Sequence, residues 1–137
     1  MLFRMEFIYS LSAYSEYSDW ALLFLRLVLG VIFLAHGVPK LRNLKSTGEW
    51  MGQSGFRPGW LWAPVVAIAE SCGGLALILG FGTPLVALAL GIQFAVINFW
   101  KIFREEPLVG GFELDLAILA GLLVLLTVGG GAWGFGL

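Results

Sequence analysis

Residues 20–42 read WALLFLRLVLGVIFLAHGVPKLR. From Ala21 to Pro39 this stretch carries only two ionisable side chains, Arg26 and His36. At ~1.5 Å of rise per helical residue, a run of this length crosses a hydrocarbon core of ~30 Å, so it predicts a membrane span over 21–40. A charged group in hydrocarbon costs at least ~2.5 kcal/mol, so Arg26 should face a protein interior that offers it a partner. At ~100° per residue, Arg26, Gly30, Phe33, Gly37 and Lys40 share one side of the helix, with His36 just beyond. Leu, Val and Ile occupy the other side. The rest of the chain has to supply what the polar side needs.

Composition agrees with a membrane setting. Of 137 residues, 59% are hydrophobic and 12% charged, about half the share of charge in an average soluble domain. Four spans of ~20 residues leave only short connections, so a single all-α domain is expected. The net charge of −1 argues against a nucleic-acid partner. Cys72 is the one cysteine, which excludes an internal disulfide and a Cys-x-x-Cys relay. The N-terminus lacks the apolar core and small-residue cleavage site of a secretory signal.

Residues 1–19 (MLFRMEFIYSLSAYSEYSD) are aromatic and mixed in polarity, and are expected to lie at the membrane interface. Asp19 is placed to cap the first span, which should end near Pro39-Lys40 among the basic residues Lys40, Arg42 and Lys45. The connection over 43–61, with Trp50, Phe56 and Trp60, suits a loop folded back onto the interface. A second span follows over 62–80, with one charge, Glu70. Phe81-Gly82-Thr83 is a tight turn, with Thr83 as cap and Pro84 opening a third span over 84–103. Ala87, Gly91 and Ala95 form a small-residue ridge suited to close helix contact. The fourth span covers 112–129 with Glu113 and Asp115 in its first turn, and residues 132–137 are expected to be a loose glycine-rich tail; the four spans together make a membrane domain over 20–131. The connections between spans one and two and between three and four hold six Lys and Arg, against Arg4 on the other side. The positive-inside rule therefore predicts both termini outside.

Each span contributes polar groups to the interior: Arg26, His36 and Lys40; Glu70; Gln93 and Asn98; Glu113 and Asp115. Left unpaired they would cost several kcal/mol each, so a bundle that pairs them is implied. The depths of Arg26 and Glu70 predict that these two pair. They serve either as a register-fixing ion pair or, with His36, as titratable groups of a proton relay. Glu113 and Asp115 read first as interfacial caps and Lys40 as a snorkelling anchor. One His with carboxylates on separate helices gives no metal-ligand set, and Cys72 reads as packing.

The pattern Leu25-Arg26-Leu27-x-Leu29-Gly30-x-x-Phe33-Leu34-x-His36-Gly37-x-x-Lys40-Leu41 resembles the first-helix signature of the DoxX family. Ala69-Glu70-x-x-Gly73-Gly74-Leu75 and Gly111-Phe112-Glu113-Leu114 are similar to that family's later motifs. The resemblance implies a four-helix protein of the bacterial cytoplasmic (inner) membrane. Some members of that family are subunits of a thiosulfate:quinone oxidoreductase, and others associate with redox-defence enzymes. It implies Glu70, His36 and Arg26 as catalytic candidates, with Glu70 and His36 handling protons. Arg26, Lys40, Glu113 and Asn98 are implied as candidates for holding a quinone or small anion.

Two functions compete. One is a quinone-linked membrane redox subunit with a protein partner; the sequence has no flavin fingerprint, haem-ligand pair or cluster cysteines, so electrons would come from that partner or the quinone. The other is a non-catalytic scaffold or assembly factor, alone or as a homo-oligomer, whose ion pairs specify the bundle. A small-solute carrier ranks below both, because four spans make a small pathway.

Overall fold

The computed structural model describes residues 2–135. It contains α1 (Leu2–Arg42), α2 (Leu44–Gln53), α3 (Gly59–Leu79), α4 (Thr83–Phe103), a π-helical turn (Leu108–Phe112) and α5 (Glu113–Val128). The fold is all-α, and no strand occurs among the described residues. Four helical stretches are long and apolar enough to cross a membrane: α1, α3, α4 and Leu108–Val128.

Helix α1 is continuous for 41 residues. The segment ahead of the first span therefore joins it without a break, because neither Gly nor Pro interrupts the backbone ladder between Leu2 and Leu29. Asp19 lies in mid-helix and is not a cap. Instead its carboxylate accepts a hydrogen bond from the Ala132 N–H at 3.0 Å. Pro39 is tolerated in the last turn, and the Asn43 backbone N–H closes on the Pro39 carbonyl at 3.1 Å.

The connection expected as a loop contains α2. Its Gly48 and Met51 are buried, and Gly48 touches Gly59 at the start of α3, where a side chain at either position would meet backbone. Packing supplies this short helix with the stability that ten isolated residues lack. The segment after it does fold back onto the bundle: Trp100 donates its indole N–H to Ser54 at 3.2 Å and packs against Phe56 at 5.5 Å.

Helices α3 and α4 form the expected antiparallel hairpin. Gly80, at φ 72°, ends α3, and the Phe81 N–H reaches back to the Ala76 carbonyl at 2.9 Å in a Schellman motif. Gly82 is the N-cap of α4, so Thr83 is its first helical residue and makes no capping bond.

Helices α1 and α3 approach backbone to backbone at two levels. A Cβ on Gly30 would lie 2.7 Å from the Gly74 carbonyl oxygen, and one on Gly37 would lie 2.6 Å from the Ser71 nitrogen. Such small-residue contacts replace the hydrophobic driving force that lipid does not supply. The Ala87–Gly91–Ala95 ridge behaves differently. Ala87 is buried, but Gly91 has open space beside it and Ala95 is exposed. The core between the helices is Leu29, Phe33, Leu77, Leu90, Leu122 and Leu125, with Phe33 and Phe94 edge to face at 5.2 Å.

Candidate functional site

Two polar centres lie near opposite ends of the bundle. The first is built on Glu70, 1% exposed in the middle of α3. The Lys40 ammonium donates to both carboxylate oxygens, at 2.9 and 2.8 Å, and Gln93 of α4 donates to Oε1 at 2.6 Å. Three helices thus close on one buried carboxylate. Lys40 spends two of its three N–H donors there and remains 30% exposed, so one donor is free to face outward.

The second centre is Arg26, also 1% exposed. Its guanidinium donates to the Trp133 carbonyl and, at 3.5 Å, to the Leu77 carbonyl in the last turn of α3. It lies against Gly80 and Gly134, where a side chain would collide with it. A cation at a helix C-terminus is favoured by the unpaired carbonyls and the helix dipole. The glycine-rich tail is therefore folded over this end of the bundle as far as it is described, and Trp133 packs on Trp20 at 5.2 Å. Residues 136 and 137 lie outside the described residues.

The expected Arg26–Glu70 pair does not form. Gly37 packs beside Glu70 and Ser71, which places Glu70 eleven residues below Arg26, ~16 Å along α1. Helical side chains also lean toward the N-terminus of their helix. Arg26 accordingly leans away from Glu70 toward the tail, and Lys40 leans back onto it. Lys40, read from sequence as a snorkelling anchor, is the ion-pair partner.

The remaining candidates scatter. His36 is exposed and is not among the partners of Glu70. Asn98 is buried and joins α4 to α5, its side-chain amide donating to the Phe94 and Asp115 carbonyls at 2.7 and 3.1 Å. Asp115 accepts from Lys101 at 2.6 Å, a second interhelical ion pair. Glu113 accepts from the Gly110 N–H at 3.1 Å and so caps its own turn. Cys72 is exposed and does not serve as interior packing. Gln93 and Thr83 complete the two centres. Gln93 was visible as an in-span polar residue and Thr83 only as an expected cap; nothing in the sequence signalled the folded tail.

The DoxX family's sequence model matches residues 21–101. The chain belongs to the DoxX family. Arg26, Lys40, Glu70 and Gln93 all lie inside the matched stretch, and the tail over Arg26 lies beyond it. The chain is similar to a Bacillus subtilis (strain 168) protein named putative oxidoreductase CatD, at 31% identity over 100 residues, covering 71% of this chain and 70% of that one. It is also similar to the Escherichia coli (strain K12) inner membrane protein YqjF, at 30% identity over 118 residues, covering 84% and 88% of the two chains. No solved structure matches it. This DoxX protein is a membrane protein whose apolar helices contact the lipid bilayer.

Proposed function

We propose that this DoxX protein is a membrane subunit of a quinone-linked oxidoreductase complex in the bacterial inner membrane. The observation that carries this reading is the buried Lys40–Glu70–Gln93 cluster, a proton-capable carboxylate held beside a cation with a donor to spare. The name of the Bacillus relative, putative oxidoreductase CatD, points the same way. A quinone would supply two-electron, two-proton redox chemistry when bound. Lys40 would donate its free N–H to a carbonyl oxygen and orient the ring. Glu70 would exchange a proton with that oxygen by way of the Lys40 ammonium, its charge balanced by Lys40 and its Oε1 held by the Gln93 amide. The Lys40 side chain keeps 30% of its surface exposed, and that exposed side is the approach a lipid-soluble molecule would take. A partner subunit would deliver the electrons. His36, exposed on the lipid side of α1, would stand outside the cluster at the rim of that approach.

The scaffold reading draws on a different observation. Lys40–Glu70 and Lys101–Asp115 each tie two helices together, as register-fixing pairs do. Extraction and mass spectrometry of the detergent-purified protein separates the two. The redox reading expects stoichiometric quinone in the wild type and its loss from folded Glu70→Gln and Lys40→Met/Glu70→Gln proteins. A folded wild type without quinone, with variants that merely lose helix packing, overturns it in favour of the scaffold.

A further inference from the structure

Asp19, Trp20 and Arg26 of α1 hold the glycine-rich tail by its backbone and one ring. Asp19 accepts from the Ala132 N–H at 3.0 Å, the Arg26 guanidinium donates to the Trp133 carbonyl, and Trp20 packs on Trp133 at 5.2 Å. Asp19 and Arg26 stand seven residues apart, on one face of the helix and ~10.5 Å along it. Arg26 leans toward the N-terminus of α1, so its charge and that of Asp19 converge on the chain between them. The carboxylate takes an N–H there and the guanidinium takes a C=O. Little space remains beneath the tail. A Cβ on Gly134 would lie 2.8 Å from the Gly80 carbonyl oxygen, and one on Gly130 would lie 2.7 Å from Thr83 Oγ1. Thr83, 3% exposed at the start of α4, is thus covered by the tail.

Other features of the tail favour release. From Gly129, at φ 89°, to Phe135 it forms neither helix nor strand, and residues 131–135 are exposed. Four of these seven residues are glycine, which regains the most backbone freedom when let go. Two bonds to side chains and one ring contact are a small hold for such a segment. Segments with few buried apolar contacts open at a cost well below that of global unfolding. Against release stands the Arg26 charge, which has no carboxylate in salt-bridge contact among the described residues. Its Trp133 acceptor can be given up only where water takes that place.

We propose that residues 129–135 are a strap, hinged at Gly129, that lifts from α1 and docks again while the helices stay packed. Arg26 and Thr83 then alternate between a sealed state and one open to water. The strap lies at the end of the bundle opposite the Lys40–Glu70 cluster and does not depend on the quinone reading.

Thr83 supplies the readout, because it lies under the strap and is not one of its anchors. Full-length Cys72→Ser protein carrying Thr83→Cys is placed in nanodiscs and treated with a small, membrane-impermeant methanethiosulfonate cation. Its labelling rate is compared with those of Leu11→Cys, at an exposed position, and Ala87→Cys, buried one turn deeper in α4. The Thr83→Cys thiol is expected to label roughly 10- to 1,000-fold more slowly than that of Leu11→Cys, as a local opening would allow. Adding Asp19→Leu should raise the rate at least about tenfold while Ala87→Cys stays unlabelled. Gly134→Ala should do the same by meeting the Gly80 backbone, and it leaves the α1 anchors in place if Asp19→Leu disturbs folding. A Thr83→Cys thiol that labels as fast as Leu11→Cys would mean that the tail seals nothing, and one that never labels would make it a fixed seal. A rate indifferent to both strap variants, or Ala87→Cys labelling in step with Thr83→Cys, would place the opening in the helices. Each of these results overturns the proposal.

Discussion

Lys40 and Glu70 are unequal partners, and the inequality predicts how their variants behave. Glu70 is 1% exposed and has nowhere to go, whereas Lys40 is 30% exposed and stands near the end of α1, where its chain can reach water. Lys40→Met strands a buried carboxylate, a change that costs roughly 3–5 kcal/mol. Glu70→Gln keeps the hydrogen-bonding shape and releases Lys40 to the interface, with an expected loss of about 1–3 kcal/mol. The double variant should be more stable than Lys40→Met alone, since no unpaired charge remains. Thermal unfolding in one detergent ranks the three, and a Lys40→Met protein as stable as Glu70→Gln would contradict the asymmetry. The members of this cluster could be picked out from sequence as in-span polar residues, but their pairing could not be read from depth alone. The tilt of the Cα–Cβ bonds sends Arg26 and Lys40 the same way along α1, and that direction gives Glu70 to Lys40.

At the scale of elements, the closest joint is between α1 and α3, and it predicts a contrast between two glycines. A side chain on Gly37 would meet the backbone of Ser71 within 2.6 Å, and backbone cannot step aside as a side-chain tip can. Gly37→Val should therefore force α1 from α3 and destabilise the protein by about 1–3 kcal/mol, the usual cost of overpacking. Gly91→Ala places its methyl in open space within α4 and should be neutral, or stabilising by up to ~1 kcal/mol from helix propensity. The midpoints of thermal unfolding decide, and a Gly91→Ala loss as large as that of Gly37→Val would show that α4 packs through its ridge after all. The four apolar helices were legible because each is a long apolar run broken by Pro, Gly or a basic cluster. Helix α2 was not, since its Gly48, Ser46 and Thr47 are loop formers and only burial of Gly48 and Met51 against the bundle holds them helical. The tail was hidden for a similar reason: a run of glycines reads as loose until Arg26, Asp19 and Trp20 are seen to bind it.

At the scale of the whole molecule, the two polar centres differ in which aqueous phase they face, and the charge of the connections predicts the assignment. Lys40, Arg42, Lys45, Arg57, Lys101 and Arg104 all gather at the end that carries α2 and the π-helical turn, and Arg4 alone lies beyond the opposite end. Basic residues flanking spans are retained on the cytoplasmic side, whereas acidic ones weigh little. On the redox reading the Lys40–Glu70 cluster would then exchange protons with the cytoplasm, and the Arg26 end of the bundle should face outward, beneath a helix that projects ~25 Å at 1.5 Å per residue over 2–18. In a Cys72→Ser background, single cysteines at Leu11 and Gly55 report the two sides, because both positions are exposed. A membrane-impermeant maleimide applied to right-side-out vesicles should label the cysteine at 11 and spare the one at 55 until the membrane is permeabilised. The opposite pattern would turn the molecule over, placing the Arg26 end of the bundle in the cytoplasm and the Lys40–Glu70 end outside. Equal labelling of both before permeabilisation would mean that the chain does not take a single orientation, and the net bias of basic residues would then be too weak to fix its topology.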